Sequence, residues 1–375
     1  MSRMAVGSNS CFASLKLLAY TAILFLVISP IAFGEYRQVM PGKELTFPKA
    51  LAAHPNYPLE WWYFTGHLQE EEGATFGFEL TFFRVGVHSK IEDVRRQGVL
   101  IGHFAITDDN GQQFYYSEEL GRDDGIQSGA STDTLQVWLR EWLVVFSDGT
   151  LQLKARAKDK ARGKDFSLSL ELESTKQPVL HGESGYSRKG PGDGEASYYI
   201  SLTRLRGSGS LAIGDREFNI NSASAWMDHE IISFAPQSPK IGWQWFAIQL
   251  DNETELMLYY IYRGDNVPSQ YSKGSYINQA GVVTPLKLEE YSIKPTGAWR
   301  SSRTRVEYPS GWKIEVPSLD LKLEVLPTVK DQEIVSTDTT GMTYWEGRCL
   351  VQGEERGERI GGAAYVELVG AGRLY

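Results

Sequence analysis

Apolar and polar positions alternate with a period of two over most of this chain. Thr75-Phe76-Gly77-Phe78-Glu79-Leu80-Thr81-Phe82-Phe83, Gly98–Thr107, Leu135–Phe146, Thr150–Lys158 and Phe166–Glu173 read as strands. The pattern resumes in Ser197–Leu205, Ser210–Ile220, Trp243–Leu250 and Glu255–Arg263. It closes with Lys313–Val316, Leu319–Val325, Tyr344–Val351 and Ala363–Val369. Asp108-Asp109-Asn110-Gly111 and Ser147-Asp148-Gly149 separate strands with residues that tolerate positive φ, a hairpin signature. Only Pro48–Ala53 reads as a short helical turn after residue 34. The chain is therefore expected to be all-β, and its many short strands predict antiparallel barrels, which leave no exposed sheet edge.

The N-terminus departs from this pattern. Arg3 and Lys16 precede an apolar run from Leu17 to Phe33, broken at Ser29-Pro30, and Ala32 and Gly34 supply a small-x-small cleavage site. Residues 1–34 read as a cleaved signal peptide; the rival reading is an uncleaved membrane anchor, because the run approaches the length of a short span. The mature chain is then periplasmic or secreted, with no stable membrane span. Two units are expected, 35–215 and 216–375, divided where Gly207-Ser208-Gly209 loosens the chain. Gly182–Glu195 reads as a long loop in the first unit, and Thr328–Gly341 as a loop over the mouth of the second.

Composition adds constraints. Of 375 residues 42% are hydrophobic and 23% charged, enough for a sizeable core. The 38 basic and 47 acidic side chains give −9, and loss of Arg3 and Lys16 with residues 1–34 moves the balance to −11. Nucleic acid is not an expected partner for such a chain, since phosphate binding needs a basic face. Removing Cys11 leaves Cys349 alone, so no internal disulfide is expected and stability must come from the core. That combination fits the periplasm better than the cell exterior.

Four clusters concentrate aromatic, acidic and imidazole groups: Glu60-Trp61-Trp62-Tyr63 after His54-Pro55, Ala225-Trp226-Met227-Asp228-His229-Glu230, Gly242-Trp243-Gln244-Trp245-Phe246, and Tyr344-Trp345-Glu346-Gly347. Tyr365-Val366-Glu367 is a possible partner of the last. In a strand Glu60 and Trp62 share one face while Trp61 and Tyr63 share the other; Asp228 and Glu230 lie together, opposite His229. A carboxyl group walled by rings has its pKa raised, which keeps a neutral acid available near neutral pH. Such a pocket suits protonation of an apolar substrate and shelter of the resulting cation by ring faces. Asp228, His229, Glu230 and Glu60 are the candidate catalytic residues. Trp61, Trp62, Tyr63, His103, Trp226, Trp243, Trp245, Tyr260, Trp345 and Glu346 are the candidate substrate-binding residues. No nucleophile elbow, zinc motif, calcium loop or phosphate-cradling glycine motif is present. Because Asp228, His229 and Glu230 alternate sides, no metal site is read from them, and no cofactor is expected.

These clusters resemble the AttH-like family, the lipocalin-like proteins that include carotenoid 1,2-hydratase (hydroxyneurosporene synthase). The likeness extends through Phe78-Glu79-Leu80-Thr81-Phe82-Phe83-Arg84, Gly102-His103-Phe104-Ala105, Val179-Leu180-His181-Gly182, Ala196-Ser197-Tyr198-Tyr199 and Gly362–Leu368. It implies two lipocalin-like barrels side by side with a pocket near their interface. It also implies cofactor-free hydration or cyclisation of terpenoid or polyketide substrates. The exported branch, which this chain is similar to, carries only the label of a predicted secreted hydrolase. In the hydratases a Trp stands two residues after the His, where this chain has Ile231. Their later acid falls in Leu258-Tyr259-Tyr260-Ile261-Tyr262, which has no carboxylate, so the acid role passes to Asp228, Glu230 or Glu60. The expected function is acid/base chemistry on an apolar isoprenoid- or lipid-like ligand. A non-catalytic periplasmic carrier and a secreted hydrolase are the alternatives, and a carbohydrate-binding protein would need coplanar exposed Trp rings.

Overall fold

The computed structural model describes residues 36–87, 98–234, 241–264 and 266–372; residues 1–34, with the expected signal peptide, lie outside the described residues. Tyr36 onward forms one compact unit. Four long strands, β1 (Leu59–Glu70), β2 (Thr75–Gly86), β3 (Gly98–Asp108) and β4 (Gln113–Arg122), make an antiparallel meander. The Asp108–Gly111 segment turns the chain between β3 and β4, where Gly111 N donates to Asp108 Oδ1 at 2.8 Å. Short strands β5 (Ser128–Ala130), β6 (Gln136–Leu139) and β7 (Trp142–Ser147) lead to β8 (Thr150–Asp159) and β9 (Lys164–Ser174). The expected single strand Leu135–Phe146 is thus a hairpin, bent at Arg140 with φ 55°. Two fragments, β10 (Val179–Leu180) and β11 (Tyr186–Arg188), edge the long hairpin of β12 (Ala196–Ile213) and β13 (Arg216–Ile232).

These strands form one sheet in the order β4-β3-β2-β1-β13-β12-β9-β8-β7-β6-β5. The sheet curls until its far strands meet: Tyr116 N on β4 donates to Asp159 Oδ2 on β8 at 3.2 Å. Inside the curl lie Trp62, Phe64, Phe78, Phe82, Phe104, Trp142 and Phe166. Gly102 is required there, since a Cβ would come within 2.6 Å of the Trp142 ring.

The second sheet begins with β14 (Gly242–Leu250), β15 (Glu255–Tyr262), β16 (Lys273–Ile277) and β17 (Val283–Lys287). After β18 (Ser292–Pro295) a separate ribbon of β19 (Ala298–Arg300) and β20 (Glu307–Pro309) intervenes. Then follow β21 (Trp312–Val316), β22 (Leu321–Pro327), β23 (Glu333–Val335), β24 (Thr343–Glu355) and β25 (Glu358–Val369). The order is β17-β16-β15-β14-β25-β24-β22-β21-β18, with β23 added to β24, and the core holds Phe246, Leu258, Trp312 and Trp345. Among the described residues all pairings are antiparallel, and helix is limited to 3-10 turns such as Lys49–Leu51, inside the expected Pro48–Ala53 turn. The molecule is all-β: two antiparallel sheets, each curled into a barrel or half-barrel.

The chain passes from the first sheet to the second between Ile232 and Gly242. Residue 215, the expected boundary, instead lies in the β12–β13 turn, where Gly214 has φ 60°. The loose-looking Gly207-Ser208-Gly209 is strand, with a register shift at Gly207/Gly209. Its glycines serve close approach, because a Cβ on Gly207 would sit 1.8 Å from the Glu171 carbonyl oxygen on β9.

Candidate active site

A layer of rings joins the outer faces of the two sheets: Tyr63, Tyr199 and Trp226 from the first, Trp245, Tyr259 and Tyr365 from the second. Beside this layer opens a cleft, partly open to solvent. It is external to both barrel cores. On its first-sheet wall stand Trp61, Tyr63, Glu79, Thr81, Phe83, His103, Tyr199, Asp228 and Glu230. The second sheet contributes Trp243, Trp245, Tyr259, Ile261, Tyr344, Glu346 and Glu367. These are alternate residues of their strands, as a period of two requires.

Asp228 is the most heavily held carboxyl group. Its Oδ2 accepts from the Tyr199 hydroxyl at 2.6 Å, and its Oδ1 from Trp226 Nε1 at 2.6 Å and from Ser201 Oγ. Tyr199 in turn accepts from Trp245 Nε1 at 2.8 Å, so the second sheet reaches the acid through one phenol. Burial raises the Asp228 pKa to about 7, against the lowering effect of these three donors. Ser201 Oγ also contacts His181 Nε2 at 2.8 Å, and His181 Nδ1 contacts Ser275 Oγ on β16 at 2.9 Å. Two residues along, Glu230 Oε1 accepts from Ser197 Oγ at 2.6 Å and pairs with Lys189 Nζ at 2.8 Å. That ammonium lies 4.6 Å from the centroid of the Tyr199 ring and 4.4 Å from that of Tyr259. Burial pulls its pKa down, but Glu230 and its neighbours outweigh that and raise it.

The rest of the cleft floor is a second acidic group. Glu346 Oε1 accepts from the Tyr63 hydroxyl at 2.6 Å, and Glu367 Oε2 from Trp243 Nε1 at 2.7 Å. Burial raises Glu367 to about 7 and lifts Glu79 and Glu346 well above the carboxylate range. Glu79 Oε2 and Glu346 Oε2 are buried with no hydrogen-bond partner among the described residues. His103, whose pKa burial depresses to about 4, contacts the Tyr344 hydroxyl at 2.6 Å and Thr339 Oγ at 3.3 Å. Thr339 belongs to the expected Thr328–Gly341 loop. That segment contains β23, and it is anchored to the first sheet by Glu118, which accepts from Thr337 N and Asp338 N at 3.0 Å. The loop thus bridges the two sheets rather than covering a barrel mouth.

The sequence groups Glu60 and His229 with Asp228 and Glu230, and the structure separates them. In the β1–β13 register Trp61 faces Glu230 and Tyr63 faces Asp228, while Trp62 faces His229. The odd residues of β1 and even residues of β13 point to the cleft; Glu60, Trp62 and His229 point the other way. Burial pushes the Glu60 carboxyl up, but the His229 and His54 contacts and Arg84 bring it down to about 2. A carboxylate held that low is a poor proton donor at neutral pH, and Glu60 has no place on the cleft wall. Trp62 fills the first core, Tyr260 and Trp345 the second, and Trp226 stands behind Asp228. Of the candidate binding residues, Trp61, Tyr63, His103, Trp243, Trp245 and Glu346 line the cleft.

Tyr199, Glu79, Lys189, Tyr259 and Tyr344 join the cleft without being candidates on sequence grounds. Glu79 carries a readable signal, a lone carboxyl between Phe78 and Leu80 in an apolar strand. Tyr344 opens the fourth cluster, and Tyr199 closes the Ala196-Ser197-Tyr198-Tyr199 string that carries part of the family likeness. Lys189 carries none, since it reaches the cleft from the glycine-rich 182–195 segment only through the tertiary fold.

A double curled β architecture with an acid-lined aromatic cleft between the sheets defines a lipocalin-like class. The chain belongs to the AttH-like family, whose model matches residues 38–371. Among solved structures it is similar to the AttH candidate NE1406 of Nitrosomonas europaea, with 29% identity and TM-score 0.78, covering 89% of this chain and 99% of that one. Kievitone hydratase of Nectria haematococca shares the fold at 15% identity and TM-score 0.65, covering 89% and 96% of the two chains. CghA shares it at 10% identity and TM-score 0.52, covering 92% and 96%. No functionally curated protein matches the chain significantly. No helix among the described residues is long and apolar enough to cross a membrane.

Proposed function

We propose that the chain is a cofactor-independent acid/base enzyme acting on an apolar, isoprenoid- or lipid-like substrate by hydration, isomerisation or cyclisation. The observation that carries this reading is the Asp228 carboxyl group, fixed by Tyr199, Trp226 and Ser201 on an aromatic cleft wall. The proton of Asp228 adds to one carbon of a substrate double bond, leaving a carboxylate and a carbocation. Ring faces of Trp61, Trp243 and Trp245 shelter the cation. Water adds to the cation and returns a proton to Asp228, or an adjacent C–H bond yields that proton and the double bond moves. Both routes restore the enzyme. A hydratase is among the proteins that share this fold, which accords with the first route.

Only part of the Trp set fits a sugar-binding face, since Trp62 is fully buried and Trp245 nearly so. The N-terminal pattern of residues 1–34 supports export to the periplasm, which N-terminal sequencing of the mature protein would test. For the chemistry, Asp228→Asn and wild-type protein are incubated with lipid extract and the products compared. The amide keeps the shape of the side chain and loses the proton, so turnover should fall by roughly 100-fold or more. Identical product profiles would overturn the assignment. An apolar ligand bound equally by both proteins and recovered unchanged would favour a carrier.

A further inference from the structure

Behind the cleft wall, on the opposite face of β1 and β13, lies a polar cluster that the acid chemistry does not use. It combines Glu60 of β1, His229 of β13 and His54 from the segment entering β1. We propose that His54, Glu60 and His229 bind one divalent transition-metal cation of the zinc type.

The first support is spacing. Glu60 Oε2 lies 3.6 Å from His54 Nδ1 and 3.6 Å from His229 Nε2, and the three atoms fall within 4.8 Å of one another. These separations exceed hydrogen-bond length. The two 3.6 Å separations are close to the edge of about 3.4 Å between ligands that each sit about 2.1 Å from a tetrahedral zinc ion, and drawing the imidazoles onto one ion sets the third edge. The two imidazole rings are not stacked: their centroids are 5.8 Å apart at 85°, so both can point at one centre.

The second support is independent of spacing. His229 is wholly buried, and neither of its ring nitrogens has a hydrogen-bond partner among the described residues. His54 Nδ1 is also buried without one. Buried nitrogens left unpaired are costly and rare. One cation at the centre of the cluster would engage two of them and the Glu60 oxygen together.

Charge and rigidity agree. Arg84 Nε pairs with Asp123 Oδ2 at 2.9 Å, and Arg84 Nη1 lies 3.7 Å from the far Glu60 oxygen. Arg84 thus divides its charge between two carboxylates, while Lys43 acts on Glu60 from farther off. His54 is held before any ion arrives: its own N–H donates to both Glu60 oxygens at 3.0 and 2.9 Å, and Ala53 N donates to Ser131 O at 2.8 Å. Two imidazoles and one carboxylate select zinc, cobalt or iron(II) over calcium or magnesium. The partly exposed His54 side chain marks the side from which an ion and a completing water would enter. Such an ion would clamp the segment before β1 onto β13.

The metal-free full-length protein is titrated with Co2+, followed by visible absorption and then by displacement with Zn2+. The expected result is one equivalent of Co2+ per chain, with an intense four-coordinate ligand-field band that Zn2+ abolishes. His54→Ala, a change in a partly exposed segment, should remove the band while near-ultraviolet circular dichroism stays native. Glu346→Gln, in the second sheet, should retain it. Absence of the band in wild-type protein, or its persistence in His54→Ala, would overturn the site. Because the ligands face away from the cleft, that outcome leaves the Asp228 reading standing.

Discussion

Two buried carboxyl groups show how environment divides a single functional group into opposite roles. Glu60 receives a backbone N–H and faces two imidazoles and a guanidinium, and its proton is released even in acid. Glu367 has one indole donor and lies near Glu230 and Asp228, so burial dominates and its pKa rises to about 7. In the unfolded chain Glu367 returns to about 4.5, and between these values the unfolded state binds fewer protons than the native one. Stability therefore falls as pH rises through that window, by on the order of 3 kcal/mol for a shift of this size. Glu367→Gln keeps an acceptor for Trp243 Nε1 and removes the ionisation. Urea unfolding at pH 5 and pH 8 should show a smaller loss of stability on alkalinisation in the variant than in the parent. An equal loss in both would reject the assignment. Much of this chemistry is legible from residue type: acids beside rings announce raised pKa values at Asp228 and Glu346. Lys189 is not legible, because its partner Glu230 and its ring neighbours are brought to it by three different strands.

At the level of the strand, alternation decides everything and leaves one thing open. The sequence of β1 separates Glu60 and Trp62 from Trp61 and Tyr63, and the structure keeps that separation. Period two does not say which face meets a core and which meets a cleft; only the pairing of β1 with β13 does so. Adjacent tryptophans should therefore behave differently. Trp62→Ala empties a fully buried site and strips the donor to Leu51 O, costing roughly 3–5 kcal/mol. Trp61→Ala should cost well under half of that and act chiefly on ligand binding. Equal losses in denaturant titrations would show that both rings are core. Glycines divide in the same way. Gly207→Ala forces a methyl group onto the β9 backbone and should destabilise by roughly 2–3 kcal/mol. Gly214→Ala meets no atom within 4 Å, and only its φ of 60° resists, at about 1 kcal/mol. Gly207 reads as a linker in the sequence because composition alone does not distinguish a glycine needed for chain freedom from one needed for close packing.

Across the whole molecule, the two sheets are joined by contacts too buried to be optional. Besides the Tyr63–Glu346 and Trp245–Tyr199 bonds, Gln249 Nε2 donates to Thr203 O at 2.7 Å. Glu255 of β15 gathers Lys176 at 2.8 Å and Arg204 of β12 into a buried ion cluster. Breaking that cluster leaves uncompensated charge, so Glu255→Gln should cost roughly 3–5 kcal/mol. Wild-type protein should unfold in one transition, with tryptophan fluorescence and far-ultraviolet circular dichroism coincident. Two separated transitions would mean that the sheets are energetically independent. The all-β class is readable from strand spacing and turn residues, whereas the side-by-side pair is what the family resemblance implies. The junction between Ile232 and Gly242 carries a breaker signal of its own in Pro236 and Pro239, but Gly207-Ser208-Gly209 competes with it, and composition alone does not rank the two.

The cleft lies on the outsides of the curled sheets, not within their cores, and this has an evolutionary consequence. Residues that choose a ligand are the outward members of strands whose inward members hold the fold. A lineage built on this plan can exchange Trp61, Phe83, Trp243 or Ile261 for other side chains without opening a void in either barrel. Specificity is then free to drift while the scaffold stays fixed, and one architecture can serve many substrates.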